Sequence, residues 1–504
     1  MQKEIGRFLD WGMSVLMGMG VFLFWYVAYP HALSYQEQYQ LFLWTWDYFV
    51  ERISLPGGFA DWLGEFIVQF YYIEWLGALL LTLLFVALQR ITGTVLMILF
   101  SEKMVSRRTV PVILSLVPVV LILWLMGDVN VLLSLPVAIV LALLFTVYSL
   151  RFTEHYHDIL ILPIAYWLIG PVVWLYAIIR VIQTGWKHLW TAGWLVAVQL
   201  MVYTWLLPQW PLQQVMTGLS YYRIPLHYPQ WNGYDKEMYE LIRQDYLVRN
   251  ERWDEIVKRA AEHQVNTPFW CNCVNLALSQ KRLLADRMFD FWQSGEDALI
   301  MPRTRDLTSM LPSAEAFWRL GMVNSAQRYM FDTQESILNA KKSGRCTKRI
   351  AECMIVNGHY QTAAKQLDLL KKSLFYRSWA KETEAMMKDE AKVNAHPVYG
   401  KLRKLRYKEN FLYNYEEIDK MFGLLLMNNQ DNKMALDYFM AQMLLKGNLQ
   451  GFQQSMGAVQ QYGGYRMMPL GYQDVMRCIQ MQGRVPDSPY AKYVQRMTER
   501  RAER

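Results

Sequence analysis

Six apolar runs occupy the first 207 residues, and they restrict what this chain can fold into more than any other feature. Trp11–Tyr29, Phe66–Gln89, Val110–Met126, Val131–Leu150, Ile159–Ile179 and Trp190–Leu207 each carry few charges. A run of about 18 such residues is long enough to cross a bilayer as a helix. The first run follows Lys3 and Arg7, and no small-residue cleavage site precedes Pro30, so it reads as a retained span and not a removed signal peptide. Charge divides the chain at the same place. Up to Leu207 there are 10 Lys and Arg against 12 Asp and Glu, and from Pro208 onward 42 against 32. The expectation is an all-α protein: a transmembrane domain of about six spans over 1–207, a linker at 208–234, and a water-facing helical domain over 235–504.

Lys and Arg set the orientation. If six spans alternate, the N-terminus, the loop with Arg90, Lys103, Arg107 and Arg108, and Arg151 share one side, which the positive-inside rule makes cytoplasmic. Arg180 and Lys187 fall on the other side. The loop over 30–65, with Arg52 against Glu37, Asp47, Glu51, Asp61 and Glu65, then faces outward, and the C-terminal domain returns to the cytoplasm. Ile91–Phe100 is the piece that unsettles this count, as a half-span or an interfacial segment. Before the fifth run stands Glu154-His155-Tyr156-His157-Asp158, whose two histidines point about 200° apart on a helix, so a polar loop is the plainer reading than a metal site. Cys271 and Cys273 are too close for a zinc knuckle and no second pair follows; with five cysteines in all, neither a metal nor a disulfide framework is indicated, and no cofactor is expected.

The outer loop is the segment richest in chemistry. On one helix, Gln36, Gln40, Asp47, Glu51 and Ser54 fall within an arc of about 60°, while Tyr39, Phe42, Trp46, Phe49 and Ile53 point elsewhere. Asp47 and Glu51, four apart, repel each other, which is a precondition for one raised carboxyl pKa. Pro56, Gly57 and Gly58 then reverse the chain. A second stripe follows in Asp61, Glu65, Gln69 and Tyr72. Two such stripes can face each other and enclose a polar cluster, and ionisable groups such as Glu65 and Glu74 near a bilayer are candidates for function. The plainer reading is interfacial anchoring by Trp44, Trp46, Tyr48, Tyr71, Tyr72 and Trp75.

The stretches YQEQYQLFLWTWDYF and PGGFADWLGEFIVQFYYIEWLGA, with YYRIP at 221–225 and CTKRIAECMIVNGHYQTAAKQLDLLKKSLFYRSWA at 346–380, resemble an uncharacterised family of polytopic membrane proteins from Bacteroidetes. That resemblance implies a bacterial inner-membrane protein with a helical C-terminal region and brings no activity with it. A wider likeness is to GT-C glycosyltransferases, whose catalytic acids sit in the first outer loop. It implies catalytic roles for Asp47 and Glu51, with Asp61 and Glu65 as further candidates.

Beyond Leu207 the chain reads as short amphipathic helices. Turn positions at Glu251, Gln280, Gly321, Gly358 and Gly447, each followed by a packing residue, describe an α-solenoid of TPR-like helix pairs with irregular spacing. The concave face of such a stack holds protein segments. Its basic balance favours acidic partners or anionic lipid, and scattered Lys and Arg without a reader motif argue against nucleic acid. No nucleophile elbow, Walker loop or dinucleotide turn occurs. The leading expectation is an inner-membrane protein whose helical domain recruits or scaffolds a partner in an envelope process; the alternative is a membrane glycosyltransferase acting on a lipid-linked sugar. A transporter would need an inverted repeat or intramembrane charges that the sequence lacks.

Overall fold

The computed structural model describes residues 2–100, 109–150, 157–217, 233–263, 265–303, 310–337, 341–409, 417–461, 465–481 and 487–502, and among them there is no β-strand. The chain divides into two compact units. The first comprises Met1–Tyr239, Leu338–Lys342 and Lys372–Phe375, and the second Glu240–Ile337, Ser343–Lys371 and Tyr376–Arg504. Two short segments of the C-terminal half therefore belong to the first unit, which a division at the expected linker does not anticipate.

The first unit holds α1 (Gln2–Leu23), α2 (Pro30–Gln38), α3 (Trp46–Ile53), α4 (Gly58–Val68), α5 (Glu74–Leu99), α6 (Thr109–Leu114), α7 (Leu116–Met126), α8 (Ser134–Ser149), α9 (His157–Ile169), α10 (Trp174–Thr184), α11 (Leu189–Met201) and α12 (Leu212–Thr217). Its centre is α8, which packs against α4, α5, α9 and α10. A helix apolar on every side is a buried helix, and Val137, Ala138, Ala142, Leu143 and Thr146 of α8 are all buried.

Among the described residues, three helical stretches are long and apolar enough to cross a membrane: Trp11–Ala28, Glu74–Leu99 and Leu189–Leu206. The expectation of about six is corrected, for local reasons. The run from Phe66 to Gln89 is not one helix: α4 ends at Val68, a short 3-10 turn covers Gln69–Tyr72, Ile73 is extended, and α5 starts at Glu74. Ile91–Phe100 then continues α5 almost to its end and is no separate half-span. Ile159–Ile179 breaks at Gly170, whose φ of 82° precedes Pro171. The helix within Val131–Leu150 has 16 residues, about 24 Å at 1.5 Å per residue, short of a hydrocarbon core of about 30 Å.

The second unit takes up the helices from α13 (Lys236–Arg249), whose first turn lies in the first unit. Then come α14 (Trp253–Glu262), α15 (Pro268–Gln280), α16 (Leu284–Arg287), α17 (Met310–Leu320), α18 (Val323–Glu335), α19 (Gly344–Val356), α20 (Tyr360–Lys371) and α21 (Arg377–Met387). The rest are α22 (Glu390–Ala395), α23 (Tyr399–Leu405), α24 (Ile418–Asn428), α25 (Lys433–Lys446), α26 (Leu449–Gln461), α27 (Leu470–Gln480) and α28 (Pro489–Ala502). Neighbours in sequence are neighbours in space: α15 with α16, α17 with α18, α19 with α20 and α25 with α26, while α18 also meets α19 and α20 meets α21.

One device closes five of these helices. Left-handed residues stand at Glu251, Arg282, Gly321, Gly358 and Gly447. The next N–H in each case reaches back to a carbonyl in the last helical turn: Arg252 to Leu247 (2.9 Å), Leu283 to Leu278 (2.8 Å), Met322 to Phe317 (2.9 Å), His359 to Met354 (2.8 Å) and Asn448 to Met443 (2.8 Å). This six-to-one bond satisfies a carbonyl that a helix end would otherwise leave orphaned. The turn expected at Gln280 lies two residues later. Glycine is the residue without penalty there, whereas Glu251 (φ 55°) and Arg282 (φ 60°) each carry a strain of about 1–2 kcal/mol.

Candidate functional site

The outer loop does not fold as one striped helix. α2 ends at Gln38 and α3 starts at Trp46, with Thr45 as its cap, accepting from the Tyr48 N–H at 3.3 Å. The backbone between them leaves the helical ladder for other partners: Leu41 N–H donates to the Lys342 carbonyl and Trp44 N–H to the Lys372 carbonyl, both at 2.8 Å. Gln36 and Gln40 are thus separated from Asp47 and Glu51. Buried Gln36 donates through Nε2 to the carbonyls of Val129 (3.3 Å) and Val131 (3.1 Å), and Gln40 Nε2 donates to the Gln36 carbonyl (3.4 Å). Asp47 and Glu51 are exposed, and Glu51 meets only the edge of Arg52, at 3.7 Å.

The Pro-Gly-Gly turn brings α3 against α4. Gly57 is left-handed and its N–H donates to the Trp167 carbonyl (2.8 Å), while a Cβ on Gly58 would stand 1.8 Å from the Arg52 carbonyl oxygen. Only glycine fits at that second position. Further along α4, a Cβ on Gly64 would stand 2.8 Å from the Ser134 nitrogen, so the missing side chain lets the start of α8 come close.

Asp61 and Glu65, four apart and on one face of α4, meet a lysine 280 residues away in sequence. Lys341 Nζ lies 2.9 Å from Asp61 Oδ1 and 2.6 Å from Glu65 Oε1. Arg52 Nε donates to Glu65 Oε2 at 3.0 Å, the Tyr48 hydroxyl donates to the same oxygen, and Ser134 Oγ donates to Asp61 Oδ1 at 2.6 Å. Arg52 also lies 4.8 Å from the centre of the Tyr48 ring. Two carboxylates face two cations, so the cluster is neutral, and Glu65 is entirely excluded from solvent. Neutrality is what makes such burial tolerable, because each unpaired ion would carry its full desolvation cost.

The two acids are not equivalent. Burial raises the Asp61 carboxyl, and the Lys341 charge and the Ser134 hydrogen bond do not offset burial plus the neighbouring Glu65. Burial acts on Glu65 in the same sense, but Lys341 and Arg52 together outweigh it and hold that carboxyl below its ordinary range. Burial would lower the Lys341 ammonium, yet Asp61 and Glu65 keep it above its usual value. Burial and the adjacent Glu65 push the Tyr48 phenol well up, so it stays a donor. The arrangement holds its groups in fixed ion pairs, with the Asp61 carboxyl raised by burial and the Glu65 carboxyl lowered by its two cations.

The remaining expected residues are dispersed. Gln69 is buried, accepting from Trp44 Nε1 (3.0 Å) and donating to the Phe66 carbonyl (2.8 Å). Tyr72 is half exposed and stacks on Phe375 with ring centres 5.0 Å apart. Glu74 opens α5, where a carboxylate suits the helix N-terminus. Of the aromatic belt, Trp44, Trp46, Tyr72 and Trp75 are exposed, whereas Tyr48 and Tyr71 are buried. His155 lies outside the described residues, as do Tyr221–Pro225; Asp158 accepts from the Tyr176 hydroxyl at 2.6 Å. All five cysteines are buried and free, and among the described residues no group of three His, Cys, Asp or Glu is placed to hold a metal.

Reading the sequence finds Asp61 and Glu65 and misses Arg52, Tyr48, Ser134 and Lys341 as their partners. Arg52 had a signal, as the lone cation among five loop acids. Lys341 had none, since nothing in Lys341-Lys342-Ser343 points across 280 residues.

A family model described as "Family of unknown function (DUF6057)" matches residues 7–504. No curated protein and no solved structure matches the chain.

Proposed function

We propose that this chain, which belongs to the family of unknown function DUF6057, is a membrane-anchored scaffold whose TPR-like helical domain recruits a protein partner at the bacterial inner membrane. The observation that carries this reading is the second unit's succession of helix pairs, joined by left-handed turns of two or three residues at Arg282, Gly321, Gly358 and Gly447. Stacked pairs of that kind form α-solenoids, whose ordinary use is to hold a protein segment.

Anchoring is supported by the three long apolar helices and by the side chains they leave uncovered, among them Leu16, Val27, Leu83 and Trp205. Leu160 and Ile182, on the shorter helices, add to the same apolar surface, which is far more than a water-facing protein ordinarily exposes. Trp44, Trp46 and Trp75 suit the headgroup region.

The glycosyltransferase alternative asks four acids to serve one reaction. Asp47 and Glu51 are exposed while Asp61 and Glu65 are buried against Lys341 and Arg52, which favours a structural clamp. The test is cross-linking of the full-length protein in native membranes, followed by quantitative recovery. A specific, saturable partner is expected; recovery of none from cells that need the protein would overturn the scaffold reading. Alanine at both Asp47 and Glu51 is expected to leave the cellular phenotype intact, and its loss with normal protein abundance would favour catalysis.

A further inference from the structure

We propose that an open groove in the second unit binds an acidic peptide segment, its carboxylates seated on Arg282, Lys401 and Lys433; the inference rests on the scaffold reading and names the site that reading uses. The groove encloses about 620 Å³ and is lined by six Lys and Arg side chains against four carboxylates. Much of that charge is already committed to the walls. Glu315 pairs with Arg319 (3.0 Å) and Arg349 (2.8 Å), Arg319 also reaches Glu251 (2.6 Å), and Arg349 also reaches Glu352 (3.0 Å). Arg319 lies over Trp253 and Arg349 over Trp318, which fixes both guanidinium planes. Arg282, Lys401 and Lys433 line the same groove and make no salt bridge among the described residues.

Two further observations point to a ligand. Ser279 is 2% exposed and lines the groove, yet its hydroxyl has no hydrogen-bond partner among the described residues. Beside it, Gln280 gives its carbonyl to Arg319 (3.2 Å) and turns its amide N–H only to the Met434 sulfur (3.4 Å), a weak acceptor. A buried polar group without a partner is destabilising unless something supplies one. Among the described residues, the non-glycine positions with left-handed backbone are Glu251 and Arg282, and both line this groove. The three equivalent turns use glycine, whereas a charged side chain stands at these two positions despite the strain, and strained residues cluster at binding sites.

The pattern selects a peptide over a polyphosphate. Glu251, Glu352 and Asp431 interleave with the cations and repel a closely spaced row of phosphates. Carboxylates separated by neutral residues can alternate with them, and a peptide backbone supplies the donors and acceptors that Ser279 and Gln280 lack.

The test uses full-length protein in lipid nanodiscs and a fluorescein-labelled peptide of alternating Glu and Ala, with the Gln and Ala peptide as control. Anisotropy is expected to show saturable binding of the first and at least tenfold weaker binding of the second. Arg282→Gly is expected to keep or raise the unfolding temperature while weakening the Glu peptide at least tenfold, and Ser279→Ala to weaken it with no loss of stability. Equal affinity for the two peptides, unchanged affinity in Arg282→Gly, or tighter competition by a single-stranded oligonucleotide would each overturn the assignment. If Arg282→Gly and Lys401→Glu leave cross-linking to a native partner untouched, this groove is not the site although the scaffold reading stands; if no partner is found at all, that reading fails first.

Discussion

Two groups of charged side chains in this molecule use the same chemistry to opposite ends. In the first unit Asp61, Glu65, Lys341 and Arg52 are sealed, balanced two against two, and each carboxylate oxygen named above is already engaged. In the second unit Glu315, Arg319 and Arg349 form the wall of an open groove in which Arg282, Lys401 and Lys433 make no salt bridge among the described residues. Burial turns ion pairs into clamps, because the penalty for breaking one is a bare ion in low dielectric. Glu315 at the base of the groove is itself buried, but the outer pair of Arg319 with the exposed Glu251 is a surface pair of the kind that contributes little to stability, and the residual charge around it is left for a ligand.

That contrast can be broken most directly at Lys341. Lys341→Met leaves two buried carboxylates sharing one arginine and is expected to cost about 3–5 kcal/mol, read by denaturant titration of the detergent-solubilised protein. A loss under 1 kcal/mol would mean the cluster is solvated. Glu65→Gln removes the acid held by both cations and is expected to cost roughly 2–3 kcal/mol. Asp61→Asn removes the acid that burial already disfavours as an anion, so its loss is smaller; the reverse ranking would refute the inequality of the two acids.

Acid sharpens the same point. Glu65 has a folded pKa below its unfolded value, so its contribution is present above the unfolded pKa and lost as pH falls through the folded one. Asp61 has a raised folded pKa, so its contribution is present below the unfolded value and lost as pH rises through the folded one. The two oppose each other in weak acid. On going down in pH, Asp61→Asn should therefore lose stability more steeply than wild type just above about pH 4, between the unfolded carboxyl value and the raised folded value of Asp61, and parallel curves in that window would argue against it. In the groove, by contrast, Arg282→Gly is expected to change stability by no more than about 1 kcal/mol, with relief of strain offset by backbone entropy. Smallest of all, Asp47→Ala and Glu51→Ala are expected to stay within about 0.5 kcal/mol of wild type.

How much of this the sequence discloses follows from the range of the interactions. The all-α class and the apolar character of the first half are carried by local pattern, and so are the reversal at Pro56-Gly57-Gly58 and the left-handed turns at Gly321, Gly358 and Gly447. Angles on a single helix also placed Asp61 and Glu65 on one face. The break at 39–45 was not legible, because its cause is the carbonyls of Lys342 and Lys372. Neither was the count of spans, since hydropathy does not distinguish α8, apolar because it is the centre of a bundle, from a helix apolar because it faces lipid. Glu251 was legible as a turn position, whereas the turn at Arg282 was placed two residues early, at Gln280, because propensity assigns glycine to that backbone conformation.

The central claim is that the first-loop acids Asp61 and Glu65 act as one charge-balanced clamp on the segment around Lys341. A double-mutant cycle on Lys341→Met and Asp61→Asn measures this most directly. Removing both charges restores neutrality and leaves the Arg52–Glu65 pair intact, so the double variant is predicted to be more stable than Lys341→Met alone, with a coupling of about 1–3 kcal/mol. Losses that simply add, making the double variant the least stable of the set, would contradict the clamp.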